Sequence, residues 1–327
     1  MRYVKLNNTD LEVSPICLGT VNYGTLLSTK DSKEQLSQFY EAGGNFIDTA
    51  HIYGDWDCDI KAISERTIGE WFQETGLRDK IVLATKGAHP DWGYMEKPRV
   101  NRACIEKDLK ESLENLCTDY IDIYFLHRDD INTPVSEIME CLDDARKSGK
   151  IRYYGCSNWT LNRIKEAREY CKINNLQGFT FNQLMWSLAD INFYNLTDKT
   201  FILMDEETRE YHAETGMNVM AYMSIAKGYF ARRGAKENLP SSVTDVYDNP
   251  SNDQIYEFIS DVVKQGEYSY MDLSYMYIMA EKLFPSIPLA SFDNESHLRA
   301  GIDCINKSIP EEIVDKLALL KKYVYRE

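Results

Sequence analysis

The chain has 327 residues, 43% of them hydrophobic, which is enough for one large α/β barrel or two ordinary domains. A net charge of −15 argues against a nucleic-acid phosphate backbone as partner, and no apolar run of about 18 residues exists to span a membrane. The eight cysteines form no C-x-x-C pair and the first ten residues lack the apolar core of a signal peptide, so the chain reads as a cytoplasmic protein with reduced thiols.

Residues 3–13 read as a small hairpin turning at 7–10, followed by a first buried strand at 16–19. A helical pattern over 31–42 stops at Gly43-Gly44. The strand 45–50 leads through a loop to a helix at 59–75. The strand 81–87 is followed by a longer loop and a helix at 99–116. The strand 120–127 precedes a helix that opens near Pro134 and stops at Gly149. Strands at 151–157, 178–184 and 218–223 continue the rhythm, with helices at 160–173 and 205–215. A last strand at 287–290 lies between helices at 271–283 and 295–304, and a final helix covers 310–324. The segment 229–270 reads as an irregular excursion, of the kind that forms lids.

Strands alternating with helices at this spacing imply parallel strands with helical crossovers. Eight such units fit a closed (β/α)8 TIM barrel with an N-terminal hairpin and an extra C-terminal helix. No linker divides residues 1–327, so they read as one domain.

Four residues with chemistry stand at or just past the ends of three of these strands: Asp48, Tyr53 five residues later, Lys86 and His127. In a parallel barrel they converge on the C-terminal mouth, where such folds keep their active sites. Singly, each reads as an ordinary hydrogen-bonded residue. Together they suit a tuned general acid. A tyrosine titrates near about 10, and a lysine ammonium beside it favours the phenolate. Asp48 would hold that lysine, and His127 would add a hydrogen bond beside the hydroxyl. Such a group can protonate an oxygen as charge develops on it, as happens when a carbonyl receives hydride from a cofactor.

The same stretches resemble the aldo-keto reductases from Leu18-Gly19-Thr20 to about residue 301. The matching motifs are Asp48-Thr49-Ala50-x-x-Tyr53-Gly54, Thr85-Lys86, Tyr120-Ile121-Asp122-x-Tyr124-x-Leu126-His127-Arg128, Gly149-Lys150-Ile151-Arg152-x-x-Gly155-x-Ser157-Asn158 and Phe181-Asn182-Gln183. The resemblance implies a catalytic tetrad of Asp48, Tyr53, Lys86 and His127, with Tyr53 as proton donor. It also implies an NADP(H) or NAD(H) cofactor, with Ser157, Asn158 and Gln183 on the nicotinamide carboxamide and Tyr222 stacked on the ring. Met223, Ile225 and Gly228 would lie along the pyrophosphate, and Gly19, Thr20, Val21, Ser291 and Asp293 would complete the cofactor site. Two positions depart from the family pattern. Met223 replaces a common serine, and Asp293, Ala300 and Gly301 stand where the family carries a basic residue, Glu and Asn for the 2′-phosphate and adenine. Asp293 would repel a 2′-phosphate and accept from a 2′-hydroxyl. Lys227, Arg232, Arg233 and Arg299 are the substitute phosphate ligands.

For substrate, Trp56, Trp92, Trp159, Trp186, Arg128, Asp129 and Asp130 fall on the loops after the strands. Aromatic faces beside carboxylates suit a small-molecule carbonyl or polyol, such as a sugar or keto-sugar. Two other readings stand beside the reductase. One is a metal hydrolase using His51, His89 and His127, although the chain carries no H-x-H or H-E-x-x-H motif. The other is a nicotinamide-holding regulatory module resembling channel β-subunits. Nothing in the sequence fixes an oligomeric state.

Overall fold

The fold is a computed structural model that describes residues 2–325. Eight parallel strands close into a barrel in chain order. They are β1 (Cys17–Gly19), β2 (Phe46–Asp48), β3 (Val82–Gly87), β4 (Ile121–Leu126), β5 (Ile151–Ser157), β6 (Phe181–Met185), β7 (Asn218–Tyr222) and β8 (Ser286–Ala290). Strand β8 returns to β1 through the pairs Leu289–Cys17 and Ala290–Leu18, which completes a (β/α)8 barrel. The crossovers are α1 (Thr29–Glu41), α2 (Ile63–Thr75), α3 (Arg102–Asn115), α4 (Val135–Lys147), α5 (Leu161–Asn174) and α6 (Glu206–Thr215). No helix among the described residues is long and apolar enough to cross a membrane.

Alternation along the strands builds two cores. Phe46, Val82, Ala84, Ile123, Phe125, Phe181, Met220 and Ile287 pack together within the barrel. The hairpin Val4–Lys5/Glu12–Val13 plugs its floor with Leu6, Leu11 and Val13. Their sequence neighbours Ile47, Leu83, Tyr124 and Leu126 join the larger cluster under the helices. Asp122 and Arg152, two of the family-like motif residues, sit at the starts of β4 and β5, far along the strands from the mouth. Asp122 is buried and paired with Arg152 at 2.6 Å and Arg78 at 2.9 Å, so these residues brace the barrel base.

Three expectations are corrected. Helix α2 begins at Ile63 rather than 59, because Asp55 Oδ1 accepts from the Ala62 amide at 2.9 Å and Ala62 is left-handed (φ 53°). The segment 229–270 is largely helical rather than irregular: α7 (Tyr229–Gly234), α8 (Ser241–Tyr247) and α9 (Pro250–Lys264). Asn249 caps α9 with Pro250 in its first turn, and Ile255, Ile259 and Val262 form its buried stripe. Helices α10 (Tyr270–Met279), α11 (Glu295–Cys304) and α12 (Glu311–Leu320) follow. The final helix stops at Leu320 rather than 324, and Val324–Tyr325 instead adds to Ile191–Asn192 as a parallel two-stranded ribbon.

Gly69 sets the approach of α2 to the end of α3. A Cβ there would lie 2.1 Å from the Asn115 carbonyl oxygen and 3.0 Å from the Leu116 backbone. Helix propensity favours alanine by about 1 kcal/mol, but a backbone contact that short forces the helices apart. Gly69→Ala should therefore destabilise the chain by about 1–3 kcal/mol, read as a lower denaturant midpoint at unchanged slope. A raised midpoint would mean that the two helices do not pack this closely.

Candidate active site

The barrel delivers the four strand-end residues to one mouth. Asp48 ends β2, Lys86 is the last residue but one of β3, and His127 follows β4, its amide donating to the Gly87 carbonyl at 3.0 Å. Tyr53 reaches in from the loop after β2. The Lys86 ammonium is fully enclosed and donates to Asp48 Oδ2 at 2.5 Å, to the Thr49 carbonyl at 2.7 Å and to the Tyr53 hydroxyl at 3.1 Å. Asp48 has its other oxygen on Gln183 Nε2 at 2.9 Å. The His127 ring meets Tyr53 edge-on at 5.9 Å between centroids, with the His89 ring 4.7 Å away on another side.

Electrostatics assign protonation states. Burial pulls the Lys86 ammonium down, but the Asp48 charge and the Tyr53 hydroxyl beside it carry its value above that of a free lysine. Burial pushes Tyr53 above the usual tyrosine range, and the Lys86 charge pulls against it without overcoming it. The net direction is thus opposite to the expectation of a lowered value, so resting Tyr53 holds its proton firmly. Burial, with the charges of His89, Lys86 and Arg128 nearby, drives His127 well below the usual histidine range. His127 is therefore neutral near neutral pH.

A groove of about 750 Å³ runs between the loop after β7 and the end of β8. It starts at Val21 and Met223, one residue beyond Thr20 and Tyr222, passes Ile225 and Gly228, and runs to Ser291 and Asp293. Met223, Ala226, Lys227 and Gly228 are all left-handed (φ 54°, 51°, 55° and 73°), which curls the backbone along one wall. Lys227, Arg232 and His297 bring positive or protonatable groups to it. Gly19 lets Ser291 close on the end of β1, since a Cβ would stand 2.7 Å from Ser291 Oγ. A groove with Lys227 and Arg232 in its wall, Arg232 paired there with Glu237 at 2.9 Å, has the chemistry to take a phosphate-bearing ligand.

The sequence profile described as the Aldo/keto reductase family matches residues 15–321. The chain belongs to that family. Among its relatives, the oxidoreductase YrpG of Bacillus subtilis is 28% identical over 323 residues, covering 97% of this chain and 95% of that protein. Norsolorinic acid reductase A of Aspergillus parasiticus is 28% identical over 325 residues, covering 94% and 77%. The solved holo form of aldo-keto reductase AKR11C1 from Bacillus halodurans matches with a TM-score of 0.76 at 24% identity, covering 99% and 98% of the two chains, and speaks for the fold. This aldo-keto reductase is accordingly an oxidoreductase of carbonyl compounds.

Not every expected residue meets the groove. Thr20 is fully buried, with its hydroxyl on the Asp48 carbonyl at 3.0 Å and near Ser64 at 2.8 Å, so it shapes β1 and β2 rather than lining the cofactor site. Ser157, Asn158 and Gln183 form a shelf already knitted to the protein. Asn158 Oδ1 accepts from the Tyr222 hydroxyl at 2.6 Å, its Nδ2 donates to Ser157 Oγ at 3.0 Å, and Gln183 serves Asp48. At the adenine-side departure, a Cβ at Gly301 would lie 2.4 Å from the Phe292 ring, so Phe292 packs directly on the Gly301 backbone. Asp293 accepts from Asn22 at 3.2 Å. Of the substitute cations, Lys227 and Arg232 line the groove. Arg233 pairs with Asp253 at 2.7 Å and Arg299 with Glu295 at 2.5 Å, away from it.

The substrate expectation is reshaped more strongly. Asp129 is bound by Arg163 at 3.0 Å, and Asp130 serves the turn at Asn132 and Thr133. Trp159 and Trp186 are buried in packing, Trp159 with its indole N–H on the Arg128 carbonyl at 3.0 Å. The carboxylates that suggested a polyol are therefore committed elsewhere. Trp56 and Trp92 remain at the mouth, their centroids 5.7 Å apart and Trp56 6.1 Å from Tyr53. The three histidines of the metal reading do not converge, since His51 turns to Glu111 at 2.9 Å. His89, Asp198 and Phe201 join the mouth without having been singled out as substrate-facing residues.

Proposed function

We propose that this aldo-keto reductase reduces an aldehyde or ketone to an alcohol with NADPH or NADH, using Tyr53 as the proton donor. The observation that carries the reading is the enclosed Lys86 ammonium, held at once by Asp48 and by the Tyr53 hydroxyl. When bound, a reduced nicotinamide would supply the hydride that the carbonyl carbon takes up. Tyr53 hydrogen-bonds the carbonyl oxygen and gives it the proton as negative charge grows there. Lys86 stabilises the phenolate this leaves, and Asp48 keeps Lys86 in position and charged. Neutral His127 orients the carbonyl beside Tyr53 without adding a charge that would compete for the proton. Val21, Met223, Ile225, Gly228, Ser291 and Asp293 form the groove for the dinucleotide, with Tyr222 at the ring and Lys227 and Arg232 as its phosphate ligands.

The test is separate titration with NADPH and NADH, followed by turnover of aromatic and aliphatic aldehydes. A preference for NADPH supports Lys227 and Arg232 as ligands of the 2′-phosphate. A preference for NADH supports Asp293 as acceptor of the ribose hydroxyl. Binding of neither overturns the redox reading. Nucleotide retained stoichiometrically with no turnover of any carbonyl would favour the channel-β-subunit-like module instead.

A further inference from the structure

The residue after His127 has no role in the proton-transfer chemistry, yet the fold gives it a costly position. The Arg128 guanidinium is nearly enclosed, with 12% of its side chain exposed. Its two terminal nitrogens reach the His127 carbonyl at 3.1 Å and Asp198 at 3.3 Å. Its Nε is buried and meets no hydrogen-bond partner among the described residues, and neither does the adjacent His127 Nδ1. Burying a guanidinium N–H without a partner is unfavourable, so the orphan Nε of Arg128 points to a group supplied from outside the chain.

The surroundings narrow what that group is. Arg128 lies over the Phe201 ring at 5.4 Å, and Phe201 packs against Tyr222 at 5.8 Å. Arg128 donates to the carbonyl of His127, whose ring lies 5.9 Å from that of Tyr53 between centroids. Its ionic partner Asp198 belongs to the loop after β6, is part-exposed, and also serves Thr200 at 2.6 Å. Lys86, the cation on Tyr53, is already held by Asp48, whereas Arg128 keeps an N–H unpartnered among the described residues. A guanidinium presents its donors in a planar fork that matches a carboxylate.

Resting on the reductase reading above, we propose that Arg128 is a specificity residue that anchors a carboxylate on the carbonyl substrate, so that the preferred substrates are oxo-acids. Asp198 occupies part of the fork in the free protein and competes with the incoming carboxylate.

The test compares para-formylbenzoate with its uncharged isostere para-formylbenzamide in the full-length chain, with R128Q, R128K and D198N. Calorimetric titration of benzoate serves as a readout that needs no turnover, and thermal melts check folding. The wild type should prefer the acid. R128Q should lower the acid-to-amide ratio of kcat/KM by at least about tenfold, chiefly through KM, and abolish benzoate binding. R128K should fall between, because it keeps the charge and loses the fork. D198N should raise the ratio by freeing the guanidinium. The inference is overturned if R128Q leaves the ratio and the benzoate affinity unchanged, or if D198N and R128Q depress both substrates equally, as a mere anchor for the 193–204 loop would. If no aldehyde is turned over with either nucleotide, the reductase reading fails, and benzoate binding still decides the role of Arg128.

Discussion

Tyr53→Phe should reduce carbonyl turnover by about 10²–10⁴-fold, the range that a positioned general acid contributes. Nucleotide affinity and the melting temperature should stay close to wild type. The substitution removes one hydroxyl, and Lys86 keeps its shorter contacts to Asp48 at 2.5 Å and the Thr49 carbonyl at 2.7 Å, so no buried charge is stranded. The lost hydrogen bond is worth roughly 1 kcal/mol of stability, too little to unfold the barrel. Steady-state turnover and a nucleotide titration on the same preparation separate the two effects. Retention of more than a tenth of wild-type turnover would remove Tyr53 from the proton-donor role. His127 sharpens the test, because its value lies well below the usual histidine range. It loses no proton between about pH 6 and 8, so turnover should show no histidine limb there.

The features legible in the sequence are those that depend on local pattern. Asp48, Lys86 and His127 could be placed because each ends an apolar strand, and parallel strands bring their C-terminal ends to one rim. The eight-fold alternation was legible for the same reason, as was the helix Glu295–Cys304, whose asparagine cap and apolar spacing are local. What stayed hidden depends on contacts between distant segments. Asp129 looked free for a substrate because Arg163, its partner, lies 34 residues away. Asp198, which engages Arg128 from 70 residues away, carried no local mark of its own. The helical content of 229–264 was masked by Gly234, Pro240 and Pro250. These residues in fact lie at or beside helix ends rather than in a structureless loop. The raised value of Tyr53 was hidden for a different reason: the sequence shows the lysine that pulls it down but not the depth of burial that pushes it up.

That same burial makes Lys86 the residue whose loss should matter most to both fold and chemistry. Lys86→Met should lower stability by about 3–5 kcal/mol, the cost of breaking a buried ion pair by removing one partner, and lower Tm by roughly 4–7 °C. Asp48 is fully buried, and without Lys86 its only remaining side-chain partner named in this network is Gln183 at 2.9 Å. The carboxylate must then take up a proton or draw in water. Asp48→Asn in the same chain should recover part of the loss, because it removes the stranded charge while keeping a group for Gln183. Turnover should not recover, since the phenolate of Tyr53 would still lack its cation. The pH dependence gives an independent check. The folded value of Lys86 lies above its ordinary 10.5, so its stabilisation is complete below about pH 10 and is lost as pH rises through the folded value. The Met variant should lack that alkaline limb. A Lys86→Met protein as stable as wild type would mean that Asp48 is already protonated in the native state, and the tuning of Tyr53 by an ion pair would have to be abandoned.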